Sequence, residues 1–259
     1  MKSILDILLK IYLYPLTQSV RLKRYILDTY FTDPSHHLHQ LIRIIQTGRY
    51  SKNDIIIDIG AADGSVSAFF AKQFPEHSIF SFEPNPDWQS SLEKKSKHNP
   101  QIHIRNIALT RMQGEMPFYI TINSVSSSLK KINKPLLELQ KHPHLKILGL
   151  QKEVLVKTNT LDNEFRDYEG DVLLIKLDTQ GAELDILSGG SKTLARTRYV
   201  LTEMQNHGFY IDAAPYYAVD SYLREKGFVL VDLIPSTRRN GIWLHEFDAI
   251  YRNASLVPE

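Results

Sequence analysis

From about residue 50 onward the sequence alternates between short, nearly unbroken apolar runs and longer amphipathic stretches. The runs are Ile55–Ile59, Ile79–Phe82, Ile102–Ile107, Val172–Leu177, Tyr199–Met204, Phe228–Leu233 and Phe247–Tyr251. The first five are close to continuously hydrophobic, the pattern of strands buried on both faces. Between the runs, Ser65–Gln73, Asp87–Lys97, Ala182–Leu187 and Tyr216–Lys226 read as helices. Strand–helix alternation of this kind requires parallel strands joined by right-handed crossovers. The sequence therefore predicts an α/β, doubly wound, mostly parallel sheet of seven strands. Residues 110–165 break the rhythm. There Glu115–Ile122 and Glu153–Thr158 read as strands around a serine cluster and a Lys-rich stretch, Lys130 to Lys152. This is an insertion expected over one end of the sheet, where the carboxyl ends of parallel strands form a ligand crevice.

Residues 1–50 read as an N-terminal helical extension, with apolar spacing through Leu38, Leu41, Ile42 and Ile45 and a stop at Gly48. Residues 51–259 form the main domain. The stretch Ile4–Leu16 is mostly apolar, but Asp6 and Lys10 interrupt it. It falls short of the roughly 20 apolar residues of a membrane span. No small-residue cleavage site follows, which argues against a signal peptide. Two readings remain for it: a helix packed on the domain, and a peripheral membrane helix backed by Arg21, Lys23 and Arg24. The expected location is accordingly cytoplasmic, with contact at a membrane surface left open. The formal net charge of +2 gives no sign of a nucleic-acid binder. The absence of cysteine removes disulfides, thiolate metal sites and thiol nucleophiles together.

The sharpest motif is IIIDIGAADGS, residues 55–65. A strand ends at Asp58 or Ile59, Gly60 and Gly64 bracket a tight turn, and a helix begins. Such a turn is expected to let a ligand approach the backbone and to offer free helix-start N–H groups. A dinucleotide site calls for three glycines, the first two separated by one residue. Here Ala61, Ala62 and Asp63 stand between the two glycines, and Asp58 would repel a pyrophosphate. The same carboxylate suits a ligand with an ammonium and a sulfonium centre, as in S-adenosylmethionine (SAM). Glu83 ends the second run in SFEPN, and Pro84 stops the strand. A carboxylate at that tip is placed to accept hydrogen bonds from ribose hydroxyls. Asn106 and Ala108, in RNIAL, end the third run at the position that commonly flanks adenine.

IIIDIGAADGS, SFEPN, RNIAL, SSSL, NTLD and LLIKLDTQGAELDIL occur in the order that resembles FkbM-type methyltransferases. The resemblance covers roughly residues 53–204, with a weaker continuation to about 250. LIKLDTQGAELDIL, residues 174–187, is its most specific block, with Leu177 and Thr179 as mild departures. Ala62 and Asp63 also replace residues that differ in relatives. The resemblance implies a Rossmann-like, class I methyltransferase fold. It also implies SAM as cofactor and methyl transfer, most often to a hydroxyl oxygen of a sugar, a polyketide or another small metabolite.

For an alcohol acceptor, a base beside the reacting oxygen helps remove its proton. Asp178, at the end of the fourth strand, is the leading candidate, with orientation of its own turn as the plainer alternative. Glu183 begins the next helix, where the helix dipole alone explains a carboxylate. Glu203 ends the fifth run and faces the same crevice. His207, four residues on, is a candidate base as an imidazole, with a loop residue as the plainer reading. Asp178, Glu203 and His207 together are the one set compatible with a divalent ion, yet no metal site is expected. His36, His37 and His39 lack further ligands. Asp58, Gly60, Ala61, Asp63, Gly64, Glu83, Pro84, Asn106, Ala108, Asp178 and Ser127 (in the run Ser124–Ser128) are the expected cofactor residues. The lysines of the insertion suit an anionic acceptor and equally a solvated helix face. Phe209, Tyr210, Tyr216 and Tyr217 suit either an acceptor wall or the core. The expected partner is a small-molecule or glycan acceptor. N-methyl transfer, a non-catalytic SAM-binding scaffold and a dinucleotide oxidoreductase are the rivals. The oligomeric state is not written in these patterns.

Overall fold

The structure, a computed structural model, describes residues 36–139, 148–206, 208–239 and 243–258. The chain divides into two compact units, Met1–Gln40 and Leu41–Glu259. The apolar stretch Ile4–Leu16 and the basic residues after it lie outside the described residues. Helix α1, His36–Gln46, is the one expected before Gly48, and its Leu41, Ile42 and Ile45 are buried. Among the described residues no helix is long and apolar enough to cross a membrane.

Seven strands form the main sheet: β1 (Ile55–Ile59), β2 (Ile79–Phe82), β3 (Ile102–Arg105), β7 (Val172–Leu177), β8 (Thr197–Gln205), β9 (Phe228–Arg239) and β10 (Trp243–Asn253). Three more, β4 (Ala108–Leu109), β5 (Gly114–Thr121) and β6 (Leu150–Asn159), form a second sheet. The main sheet runs β3-β2-β1-β7-β8-β10-β9, and the small one β4-β6-β5. Strands β3, β2, β1, β7 and β8 pair in parallel, whereas β10 is antiparallel to both β8 and β9. This is the Rossmann-like, class I methyltransferase arrangement. The chain winds outward from β1 through β2 to β3, then returns to the other side of β1 at β7. The switch between β1 and β7 is where such sheets open their crevice.

Every residue of β1 and β7 is buried. On one face Ile57, Ile175 and Val200 join a cluster with Leu187, Leu194 and Leu223. These come from α6 (Glu183–Ser188), α7 (Ser191–Ala195) and α8 (Tyr216–Glu225). On the other face Asp58 of β1 meets Ser67 of α2 (Ser65–Gln73). Each fully buried Ile, Leu or Val stabilises the fold by roughly 1.5–3 kcal/mol, so double coverage makes β1 and β7 the anchor of the sheet.

The apolar run Ile102–Ile107 is not one strand. It ends at Arg105, and Ala108–Leu109 pairs instead with β6 of the small sheet. The exposed Asn106 marks the change of sheet. Helix α3 occupies Gln89–His98 after a 3-10 turn over Pro86–Trp88. The remaining short helices are α4 (Lys134–Leu139) and α5 (Leu161–Glu164). The insertion thus carries the β5–β6 ribbon, and the serine run follows β5 at the ligand end of the main sheet.

Candidate active site

A cleft of about 820 Å³, partly open to solvent, lies at the carboxyl ends of β1, β2 and β7. Its floor is apolar: Ile59, Phe82, Ile107, Ala108 and Phe118 line it, with Trp88 at one side. Its polar lining includes Glu83, Asp178, Lys176 and the serines 124 and 127. An apolar slot with a few convergent polar groups is the usual form of a small-ligand site.

The glycine turn is built by the protein for the protein. Gly60 has φ +78, and a Cβ there would stand 1.9 Å from the carbonyl oxygen of Asp178. The missing side chain therefore lets the ends of β1 and β7 meet. A Cβ on Gly64, φ +79, would press on Leu92 of α3 at 2.9 Å. The backbone N–H groups of Gly60 and Ala61 donate to the Phe82 carbonyl at 3.0 and 3.1 Å. Ala62 N–H donates to Glu83 Oε2 at 2.8 Å, and Gly64 N–H to Ala61 O at 2.8 Å. At the helix start, Ser65 N–H donates to Asp63 Oδ1 at 3.0 Å. The N–H groups of Gly60, Ala61, Ala62, Gly64 and Ser65 thus have acceptors within the protein. Asp63 itself caps the helix and pairs with Lys95 Nζ at 2.7 Å.

Glu83 stands at the tip of β2 as the sequence places it, 7% exposed. Its Oε1 accepts from Asn85 N–H at 2.8 Å, opposite the Ala62 bond on Oε2. Two backbone donors fix the carboxylate and leave it acceptor positions toward the cleft. Burial pushes its pKa up to about 7, against the lowering effect of those two bonds and of Lys176.

Asp58 departs from expectation. It is fully buried and is not among the residues that line the cleft. Its Oδ2 accepts from Ser67 Oγ at 2.5 Å, and Oδ1 lies 3.4 Å from Lys176 Nζ. Lys176, which the sequence reading passed over, is the intermediary. Its ammonium donates to the Gly60 carbonyl at 3.1 Å and lies 3.6 Å from Asp178 Oδ2. Burial alone would depress the Lys176 pKa. The carboxylates of Asp58 and Asp178 more than reverse this and hold the group above its ordinary value.

Asp178 lines the cleft with a side chain 41% exposed. The turn after it has Gln180 at φ +58 and Gly181 at φ +98. Glu183 closes this turn from below. Its Oε1 accepts from Thr179 N–H at 2.9 Å, Thr179 Oγ1 at 2.8 Å and Gly181 N–H at 3.3 Å. Burial raises its pKa. Glu183 is outside the cleft lining, so it shapes the turn that presents Asp178. Glu203 on β8 is reached through Gln180, whose Nε2 donates to Asp178 Oδ1 at 2.9 Å and to Glu203 Oε2 at 2.6 Å. Burial, together with Asp178, Glu246 and Asp248, raises the Glu203 pKa well above the ordinary carboxylate range. Asp248 faces Glu203 across the β8–β10 ladder, and burial pushes it up to about 7. Tyr210, buried, places its hydroxyl 2.8 Å from Gln180 Oε1.

Ala61, Pro84 and Ala108 line the cleft, whereas Asn106 stands outside it and Ile107 takes its place. Ser127 lines it too, but its Oγ already accepts from Thr121 N–H and donates to Ser124 O. Asn85 Nδ2 donates to Ser124 Oγ at 3.1 Å, and Ser128 Oγ lies within 3.0 Å of the Thr179 and Gln180 carbonyls. The serine run is therefore tied to the tip of β2 and to the turn after β7. Phe209 and Tyr210 are buried, while Tyr216 and Tyr217 are exposed. His207 lies outside the described residues, as do Lys141 and Lys146 of the insertion.

The sequence pattern described as the methyltransferase FkbM domain matches residues 58–230. A 2-O-methyltransferase, NoeI, of Sinorhizobium fredii is 27% identical over 207 residues, 78% of this chain and 80% of that protein. Methyltransferase 1 of Beauveria bassiana is 26% identical over 152 residues, 54% of this chain and 59% of the other. Among solved structures, a methyltransferase FkbM from Methylobacillus flagellatus KT superposes with a TM-score of 0.50 at 12% identity. That match covers 79% of this chain and 44% of the other, so this chain spans less than half of that protein's length.

Proposed function

Because the chain belongs to the methyltransferase FkbM family, we propose that it is a SAM-dependent O-methyltransferase acting on a hydroxyl of a saccharide or related small metabolite. One observation carries the choice of cofactor. The cleft is edged by the carboxylates of Glu83 and Asp178, while the Gly60, Ala61, Ala62 and Gly64 N–H groups of the neighbouring turn have acceptors within the protein. That combination suits a cationic nucleoside and disfavours a pyrophosphate. Glu83 is placed to hold the ribose hydroxyls, and Ile107, Ala108 and Trp88 to enclose the adenine. SAM, when bound, supplies an electrophilic methyl group on a sulfonium.

The residues of this chain do the rest by placement and proton handling. Asp178 sits at the cleft mouth and takes the proton of the acceptor hydroxyl as that oxygen is methylated. Lys176 Nζ, 3.6 Å from Asp178 Oδ2, helps hold that carboxylate in place. Glu183 and Gly60 set the height of Asp178 above the sheet, and such alignment supplies several kcal/mol in a displacement reaction. A 2-O-methyltransferase among the relatives supports an oxygen acceptor. A cleft edged by Glu83 and Asp178 disfavours the phosphate backbone of a nucleic acid.

The test is transfer of labelled methyl from SAM to a panel of p-nitrophenyl glycosides, with calorimetry of S-adenosylhomocysteine alongside. Asp178→Asn is expected to abolish turnover while product affinity stays within about tenfold. Full turnover in that variant removes the base assignment. Absence of any nucleoside binding to the folded protein removes the cofactor assignment.

A further inference from the structure

The side chain of Gln180 is fully engaged, and its backbone is held in a conformation that favours glycine. Its φ of +58 is left-handed, a region that non-glycine residues adopt rarely. Its own carbonyl is held by Ser128 Oγ at 2.9 Å. This bend turns the carboxamide back across the ends of β7 and β8. Both protons of Nε2 are used there, one on Asp178 Oδ1 at 2.9 Å and one on Glu203 Oε2 at 2.6 Å. The amide oxygen lies 2.8 Å from the Tyr210 hydroxyl. The orientation of the amide follows from chemistry as well as distance. Flipped, it would set its oxygen against two carboxyl oxygens and its NH₂ against a hydroxyl that has a second acceptor, the Ser126 carbonyl, at 2.9 Å.

We propose that Gln180 is a positioning residue whose carboxamide, oriented by Tyr210, locks the carboxylate of Asp178 in place beside Glu203 at the acceptor side of the cleft. The proposal rests on Asp178 as the base of the preceding section. Without the clamp, a carboxylate 41% exposed has other rotamers and water for company. With it, one oxygen is committed to Gln180 and the group points the same way in every turnover. The two joined carboxyls are also kept different. Lys176 stands beside Asp178, whereas Asp178, Glu246, Asp248 and Glu183 surround Glu203 with like charge.

The deciding measurement needs no acceptor. The ¹³C carboxyl resonances of labelled protein are titrated in the wild type, Gln180→Leu, Tyr210→Phe and the double variant. Asp178 is assigned by its loss in Asp178→Asn. The groups that face it are Lys176, Gln180, Glu203, Asp248 and Tyr210, and only Gln180 and Tyr210 are changed. Removing Gln180 is expected to raise the Asp178 midpoint by about one pH unit, the size of one hydrogen bond to a charged group. Tyr210→Phe is expected to give a smaller rise, and the double variant to match Gln180→Leu alone, because Tyr210 acts through Gln180. Affinity for S-adenosylhomocysteine stays within about threefold, which reports an intact cleft. Should Gln180→Leu fail to fold, Gln180→Met carries the same comparison. An unmoved Asp178 midpoint in a folded Gln180 variant, or Tyr210 and Gln180 effects that simply add, overturns the proposal. In the labelled-methyl assay of the preceding section, inactive Asp178→Asn alongside unaffected Gln180→Leu overturns this proposal alone. Fully active Asp178→Asn overturns the base assignment and this proposal with it.

Discussion

Replacing Lys176 by methionine tests the buried charge arrangement behind the cleft. The substitution keeps most of the side-chain length and removes the ammonium. Asp58, fully buried, is then left with Ser67 as its hydrogen-bond partner and no cation. Removing one member of a buried ion pair costs about 3–5 kcal/mol, because the remaining charge is uncompensated. The Gly60 carbonyl also loses its donor, worth about 1 kcal/mol more. A domain of this size loses roughly 2–4 °C of Tm per kcal/mol, so the expected fall is on the order of 8–24 °C. Asp58→Asn alone is milder, since the freed ammonium keeps Asp178 at 3.6 Å. The double variant Asp58→Asn/Lys176→Met leaves no buried charge at either position. It is expected to recover at least about 2 kcal/mol of the loss in Lys176→Met. The assay is denaturant and thermal unfolding of the four proteins at pH 7. Effects that add to within about 0.5 kcal/mol would refute the pairing argument.

Four further outcomes follow from the same geometry. Glu83 is raised from 4.5 to about 7, so the stability it contributes is present below its unfolded value and lost as pH rises through about 7. Glu83→Gln is therefore expected to gain on the wild type by up to about 3 kcal/mol between pH 4.5 and 8, read as the difference between their unfolding curves. Parallel curves would contradict it. The same variant is expected to bind S-adenosylhomocysteine at least about tenfold more weakly at pH 8, measured by calorimetry, because a neutral amide is the poorer acceptor for ribose hydroxyls. Gly60→Ala puts a Cβ 1.9 Å from the Asp178 carbonyl at φ +78 and is expected to cost more than about 3 kcal/mol, shown by loss of soluble folded protein or a large drop in Tm. Glu183→Ala frees three donors of the turn and is expected to lower Tm by several degrees along with turnover, while addition of a helix N-terminal charge elsewhere restores neither.

The central strands were legible because burial on both faces leaves an almost unbroken apolar run, as in IIIDI and VLLIKL. The same rule misread Ile102–Ile107, because strands of two different sheets follow one another there with only Asn106 and Ile107 between them. It also shortened β9, where apolar Val229, Val231 and Leu233 are partly exposed and polar residues continue the strand to Arg239. Glu83 and Asp178 reach the cleft because each ends a buried strand at the switch point. Asp58 shares that strand-end chemistry, but its side chain sits two residues earlier, within the pleat and under helix α2. Lys176 had a readable signal, a lone cation inside a fully apolar strand, which is buried only when paired. Its partner Asp58 is its register neighbour across β1 and β7, a relation visible only once the two strands are side by side. Gln180 had no such signal, since its reach depends on a left-handed φ.

The acidic edge that Glu83 and Asp178 give the cleft bears on competition inside a cell. Adenine nucleotides share the adenosine half of the proposed cofactor and are present in abundance. Shape alone separates them poorly in a cleft that accepts the shared part. A triphosphate entering here would lose its hydration and face the two carboxylates of Glu83 and Asp178. Under the proposed function, that acidic edge would select on the sign of the ligand's tail.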